Sequence, residues 1–573
     1  MGRPPLPVDS SLTTFTLRAN GTEVPGTFRI VSVVISRELC RIPHAHIVLL
    51  DGDAARQTFP ISESAELAPG AEIEIDGGYS SRETRLFKGI VTRHRIEAGR
   101  GRDTYLHIEA KDPLYRAALA RESLAFVDTS EGDFFQQILS SYISRIDVPQ
   151  TNAVETVPLH QTTRWDFAVQ RAEALGMVCE SDGDVLRFFE PDPGQAPART
   201  FAFGQDIHRL EVEQNAEAPF ASVNFSAWSP ADQELTHAEA DRAPAALGDR
   251  AEEIAGVANV SPDEITSAAL DQEAVDTAAQ SRLTRSRLAT LNGVVEVQGT
   301  GDVVPGQVIE LQGTGGRFNG NAYVSGVRHE IGRGDWITAI QLGLDPRRFY
   351  QRRPLAAAPP AAGEIPPVHG LHIGVVTALE GDPAGEERIG VYVQTGRSEV
   401  WARIAAFDAG ADRGAVFRPE IDDEVVLGFL DCDPRHPIVL GSLHSSANPA
   451  PIPASDDNHQ KGYTSREGMK LTFDDEKPAV TLETRGGAKV LLDDDTGKVE
   501  LTDQNGNKIE MTSSKLLIEG ASDIEIKAAG NIKIEGVNVD ANASGAATVK
   551  GSGSATLEAS GQTTVKGSVV MIN

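Results

Sequence analysis

The sequence predicts a mainly β protein. Its parts are a barrel-forming N-terminal section with a small α/β insert, a compact Greek-key barrel of OB type, and a C-terminal β-helix or β-prism intertwined between three chains. Three observations carry this. Runs of β-branched and aromatic residues bounded by turn residues dominate the first 350 positions. A short stretch near 388–444 packs several such runs into little length. From Asp474 to Asn573 there is no Phe, Tyr or Trp, while apolar residues recur at a step of eight.

The chain has 573 residues, with 83 acidic against 53 basic side chains and a formal charge of −30. That length predicts several domains, since a single core rarely grows past about 250–300 residues. The acidity argues against a nucleic-acid sheath, which needs clustered Lys and Arg to release counterions, and against a partner as anionic as a lipid surface. Cys40, Cys179 and Cys432 form an odd, widely spaced set without a CxxC, so no disulfide framework or zinc knuckle is expected. Met1-Gly2-Arg3-Pro4-Pro5 opens without an apolar stretch, so synthesis in the cytoplasm without a signal peptide is expected.

Within the first section, Thr27 to Ile35, Ala45 to Leu50, Ala71 to Ile75 and Leu86 to Thr92 read as strands, with Asp51-Gly52-Asp53 as a turn. Phe134, Phe135, Ile138, Leu139 and Tyr142 recur at helical spacing. Thr163, three positions before Asp166, caps a second helix that Gly176 stops. A third helix is expected from Asp271 to Leu291, ending at Gly293, after which strands resume. The Pro- and Ala-rich run at 352–367 reads as a semi-rigid linker.

In the tail, Leu516 and Ile518 are followed by Ile524 and Ile526, then Ile532 and Ile534; after one extra residue the ladder resumes at Ala541, Val549, Leu557 and Val565. Eight residues make one short strand and one turn, whereas a coil of a single-chain β-helix needs roughly 18 or more. Three chains, each giving one side per layer, close the core instead. The calcium-binding GGxGxD pattern is missing.

Ile389 to Val393 and Val400 to Ile404 are dense strands, and Gly390, Gly428 and Gly441 fall at bends. The run Phe417-Arg418-Pro419-Glu420-Ile421-Asp422-Asp423-Glu424-Val425-Val426, then Phe429-Leu430-Asp431 and Asp433-Pro434-Arg435-His436-Pro437 through Leu443, closely resembles the barrel of VgrG-type spike proteins of contractile injection systems. Arg388-Ile389-Gly390-Val391 and Trp401-Ala402-Arg403 match the earlier part of that motif. Ile42-Pro43 with Leu50 to Asp53, Phe87 to Val91, Trp165 to Phe167, Pro305-Gly306, Phe318 to Gly320, Tyr323 and Val327 to His329 resemble the family's tail-hub section.

The resemblance implies a first hub barrel at 1–118, a middle α/β piece at 119–200, a second hub barrel at 201–350, a linker at 351–367, an OB-fold at 368–446, a connector at 447–468 and a needle at 469–573. It implies a homotrimeric central spike that seats the tube on the baseplate hub and pierces the target envelope on sheath contraction. The implied partners are two further copies, tube and hub proteins, a PAAR-like tip protein at Val569, Val570, Met571, Ile572 and Asn573, and a target membrane only in passing. The short ending fits an extracellular injection particle best, with type VI secretion or a phage tail as alternatives of the same architecture. A β-solenoid polysaccharide-active enzyme predicts a monomer with an aromatic-lined groove, and a trimeric adhesin predicts an export signal.

Catalytic motifs are absent: no GxSxG, HExxH, Walker loop or GxGxxG, so neither enzyme chemistry nor a cofactor is expected. His44 and His46 with Asp51 and Asp53 could be drawn as metal ligands, but the barrel needs that strand and turn, and no metal is expected. Asp474-Asp475-Glu476 and Asp493 to Asp495 read as solvated turns. Cys179 and Cys432 lie within or beside apolar strands without a companion His signature and read as structural thiols; Cys40 is equally unsupported as a nucleophile.

Overall fold

The computed structural model describes residues 13–80, 82–100, 103–150, 153–242, 244, 248–352 and 359–572. The opening residues 1–12, linker residues 353–358 and Asn573 lie outside the described residues. The chain divides into two compact units, Met1–Pro367 and Val368–Asn573, and it is mainly β.

In the first unit, alternating apolar positions turn one face of each strand inward. Val33 and Ile35 of Arg29–Glu38, Ile47 and Leu49 of His44–Leu50, and Leu106 and Ile108 of Tyr105–Lys111 are completely buried in one core. A second core gathers Phe201, Val295, Val297, Ile309, Leu311 and Val324. Among the described residues the strands around both cores form one 13-stranded sheet. The strand Gly320–Gly332 joins them, pairing through its first part with Val308–Gln312 and through its second with Arg29–Glu38. A bulge between Val324 and Gly326 redirects it. At that crossing a Cβ on Gly326 would lie 2.8 Å from the Glu38 side chain, so glycine lets the two strands approach.

The α/β insert forms where the 3–4 spacing places it. Ser130 caps the helix Glu131–Leu139 by accepting from the Asp133 N–H, and Thr163 caps Arg164–Ala174 by accepting from the Asp166 N–H at 3.0 Å. Gly176 follows in the left-handed region at φ +73°. The buried Glu173 carboxylate binds Arg285 at 2.7 Å, Arg352 at 3.3 Å and the Phe349 N–H at 2.7 Å, tying three parts of the unit together.

The third helix is shorter than expected. Asp271 caps it, but it runs Gln272–Leu288, and Leu291 already opens the strand Leu291–Gln298. Gly293 is not its stop. Gly293 sits mid-strand at φ +145°, where a Cβ would collide with the Glu211 carbonyl. The helix packs Val275, Ala279 and Leu283 against a small sheet of Val223–Ser229, Glu234–Ala240 and Asp263–Thr266.

In the second unit, His372–Ala378, Ile389–Val393, Ser398–Ile404, Pro437–Ser442 and Glu424–Phe429 close a barrel in that order. Val376, Ile389, Val391, Ala402, Val425 and Leu427 fill it. Gly390 lies opposite a bulge in His372–Ala378, and Gly441 flanks one in its own strand, which is where the barrel bends. Among the described residues, seven strands from Gln460–Thr464 to Leu516–Glu519 then form an antiparallel meander. Pairing thus begins inside the expected connector, and neighbouring strands reverse direction within the chain.

His329 is buried, its Nδ1 3.0 Å from the Thr338 hydroxyl, and burial with nearby Arg37 pushes its imidazole down to about 3. The neutral ring contributes stability that is present above the unfolded value near 6.5 and lost as pH falls from there toward 3, by about 1.4 kcal/mol per pH unit. Asp112 acts in the opposite sense. Burial raises it to about 6, so its contribution is complete below about 4 and lost as pH rises toward 6. Chemical denaturation at pH 7 and pH 4.5 should show His329→Gln losing less stability on acidification than the wild type, and Asp112→Asn losing more. Glu173→Ala should cost about 3 kcal/mol, because the buried carboxylate shared by two half-buried guanidinium groups and the Phe349 N–H is removed.

Candidate assembly surface

The meander follows from x-apolar-x-apolar pairs. Residues two apart in a strand share a face, and the register sets Leu471 opposite Leu482, Phe473 opposite Val480, Leu492 opposite Val499, and Leu501 and Ile518 opposite Ile509. Every paired position on that face from Tyr463 to Ile518 is apolar. Within the described chain the face lies open: Leu482, Leu492, Leu501, Leu516 and Ile518 are all exposed.

The other face is already satisfied. Lys498 and Lys508 approach Glu500 at 3.0 and 3.2 Å, and Lys515 approaches Glu510 at 3.2 Å. These ammonium groups hold both carboxyls below the usual glutamate range. A sheet that covers its carboxylates and exposes its leucines lacks an apolar partner, not a polar one.

Beyond the meander the expected ladder has no layers of its own. Among the described residues from 522 to 572 there is no strand, no helix and no backbone hydrogen bond within the chain. Ile524, Ile532, Ile534 and Val565 are exposed, and Ile526, Val549 and Leu557 reach 71, 91 and 80% exposure. Val569, Val570, Met571 and Ile572 are also exposed, and Asn573 lies outside the described residues.

An aromatic rim, not foreseen from sequence, meets the top of the apolar face. Phe407 stacks on Phe417 at 6.4 Å, and Phe417 meets Tyr463 edge-on at 5.1 Å. All three are exposed. Arg466 binds Glu420 at 2.8 Å, fastening this barrel loop to the meander. Phe417 reads in sequence as one letter of the barrel motif, and only the fold brings the loop residue and Tyr463 together.

Polar residues within and beside that motif hold turns. Asp382 accepts the Ala384 and Glu386 N–H groups at 3.1 and 2.7 Å and the Arg388 guanidinium at 2.9 Å. Asp433 accepts the Arg435 N–H at 2.8 Å and its side chain at 2.7 Å. Both carboxyls lie well below the usual range for that reason.

The other candidates remain apart. Among the described residues no group of three or more His, Cys, Asp or Glu converges as metal ligands. Asp51 accepts the Ile61 and Ser62 N–H groups at 3.1 and 2.7 Å, Asp53 accepts that of Ala55 at 3.0 Å, and His46 stacks on His107 with ring centres 5.3 Å apart. Asp474 and Asp493 accept backbone N–H groups within their own turns. The cysteines have neighbours that the sequence did not announce. Cys432 does have a histidine neighbour, with Sγ 3.3 Å from His369 Nδ1, and Cys40 lies beside Cys179. Both partners are remote in sequence, so no local spacing announced them.

Comparison with known proteins gives the following. The family model described as the Alg8 N-terminal domain matches residues 9–333, and the one described as the type VI secretion system/phage-baseplate injector OB domain matches residues 372–444. The chain is 27% identical over 149 residues to the type VI secretion system spike protein VgrG1c of Pseudomonas aeruginosa, covering 24% of this chain and 19% of that one. It is 29% identical over 175 residues to the spike protein VgrG3 of Vibrio cholerae, covering 26% and 16%. It thus spans under a fifth of the length of these curated relatives. A prophage tail protein from Shewanella oneidensis aligns at TM-score 0.46 and 11% identity, covering 58% of this chain and 98% of that one. No helix among the described residues is long and apolar enough to cross a membrane. The match across more than half its length places the chain in the Alg8 N-terminal domain family, and with its injector OB domain it is a relative of the VgrG-type spike proteins.

Proposed function

We propose that this protein is the homotrimeric central spike of a contractile, phage-tail-like injection apparatus, structural rather than catalytic. In this reading the first unit seats the tube on the baseplate hub, and the C-terminal section leads into the target envelope on sheath contraction. The observation that carries it is the uncovered apolar face running from Tyr463 through Ile518 into the eight-residue ladder. Moving one Leu or Ile side chain from water to a packed interior gains about 1.5–3 kcal/mol. Three copies, each giving one side of every layer, would bury the ladder and pair the unbonded backbone of residues 522–572 in one step.

Val569 to Ile572 would then present a compact apolar end, the shape a tip protein needs. The resulting particle would be released from the cell that assembles it. The injector OB domain is described for type VI secretion and phage baseplates alike, which supports a membrane-anchored type VI machine or a phage tail as the second reading. A polysaccharide-active enzyme fits poorly, because the section after Phe473 has no aromatic side chain to stack on a sugar.

Sedimentation of the full chain should give three chain masses, stable to heat and detergent. Ile526→Asp would set three carboxylates around one axis, at a cost of several kcal/mol or more, and should shift the protein to single chains while the barrel stays folded by circular dichroism. A wild-type monomer, or an unimpaired Ile526→Asp trimer, would sink the reading.

A further inference from the structure

Cys40 follows the strand Arg29–Glu38, and Cys179 lies in the strand Val178–Ser181 of the α/β insert. The Cys40 N–H donates to the Cys179 carbonyl at 2.8 Å. This bond puts the two backbones in direct contact, the proximity that a disulfide, with Cα atoms roughly 4.4–6.8 Å apart, requires. Each thiol shifts the other's titration, so the two side chains face each other. Both are buried, at 5 and 1% exposure, and both are free thiols.

The pair is not symmetric. Cys40 lines a cavity of about 860 Å³ together with Arg41, Ile42, His46 and Trp165, whereas Cys179 lines none of the cavities around it. The hydrogen bond from Cys179, helped by nearby Arg285, draws the Cys40 thiol down, while the same contact and burial push Cys179 well up. Cys40, which borders the cavity, is therefore the member of the pair placed to react first.

We propose that Cys40 and Cys179 are an oxidation site that closes to an intramolecular disulfide when the folded protein meets a low-molecular-weight disulfide. The Cys40 thiolate attacks one sulfur of the reagent, its S–S bond breaks, and one thiolate leaves and takes up a proton. The Cys179 thiol loses its proton to solvent and attacks the Cys40 sulfur of the mixed disulfide, expelling the second reagent thiolate. The two cysteines lose two protons and two electrons, and the reagent becomes two thiols. The bond would staple the first core to the α/β insert, where the buried Arg37–Glu180 ion pair already joins them.

The test treats the full folded chain with oxidised glutathione, blocks remaining thiols after denaturation, and maps peptides by mass. The expected product is a cross-linked Cys40–Cys179 peptide pair lighter by two hydrogens and carrying no glutathione. The thermal midpoint should rise by several degrees and fall back with dithiothreitol. Cys432→Ser should leave the cross-link unchanged. Cys179→Ala should trap glutathione on Cys40. Two blocked thiols in the wild-type map, glutathione held on Cys40 of the wild type, or a cross-link formed only after unfolding would each overturn the proposal.

Discussion

A backbone amide removed from water must find a partner, and an apolar side chain left in water costs free energy. The first unit and the five-stranded barrel meet both conditions within one chain. The meander from Gln460 to Glu519 meets them only in part, and the described residues from 522 onward meet neither, with no intrachain backbone bond and with Ile526, Val549 and Leu557 in solvent. Everything proposed about assembly grows from that deficit. In the proposed trimer three copies would remove it together.

The gradient along the second unit is informative. The barrel has a closed hydrogen-bond circuit and a filled interior. The meander keeps the circuit between neighbouring strands but leaves one face without cover. The repeats lose even the circuit. Self-sufficiency therefore declines step by step, and the polar side declines least: the lysines around Glu500 and Glu510 are placed for a sheet whose charged face needs nothing more. A protein that meets its envelope at the least self-sufficient end would depend on copies of itself for stiffness there.

Much of this was legible in residues alone wherever the cause was local. The cap at Thr163, the helical spacing from Phe134 to Leu139, and the strands Ile389–Val393 and His44–Leu50 all follow from local patterns in the chain. The small sheet beneath the helix Gln272–Leu288 was not foreseen, because Val223–Ser229 and Asp263–Thr266 pair across a long excursion. Gly293 misled for the same reason: a glycine after a helix usually stops it, yet here the neighbouring strand demands it.

By itself the sequence determined the mainly β class, the compact barrel, the eight-residue period and the identity of the side chains that go without cover, since alternation and repeat length are local properties. Tertiary structure alone decided that one long strand would unite two cores in a single sheet, that the upper tail would fold as a meander, and that Phe417 would meet Tyr463 and Cys40 would meet Cys179. Those outcomes depend on which distant segments share a hydrogen-bond ladder, and no spacing along the chain encodes that choice, because pairing partners are selected by the burial of whole faces rather than by any pair of neighbours.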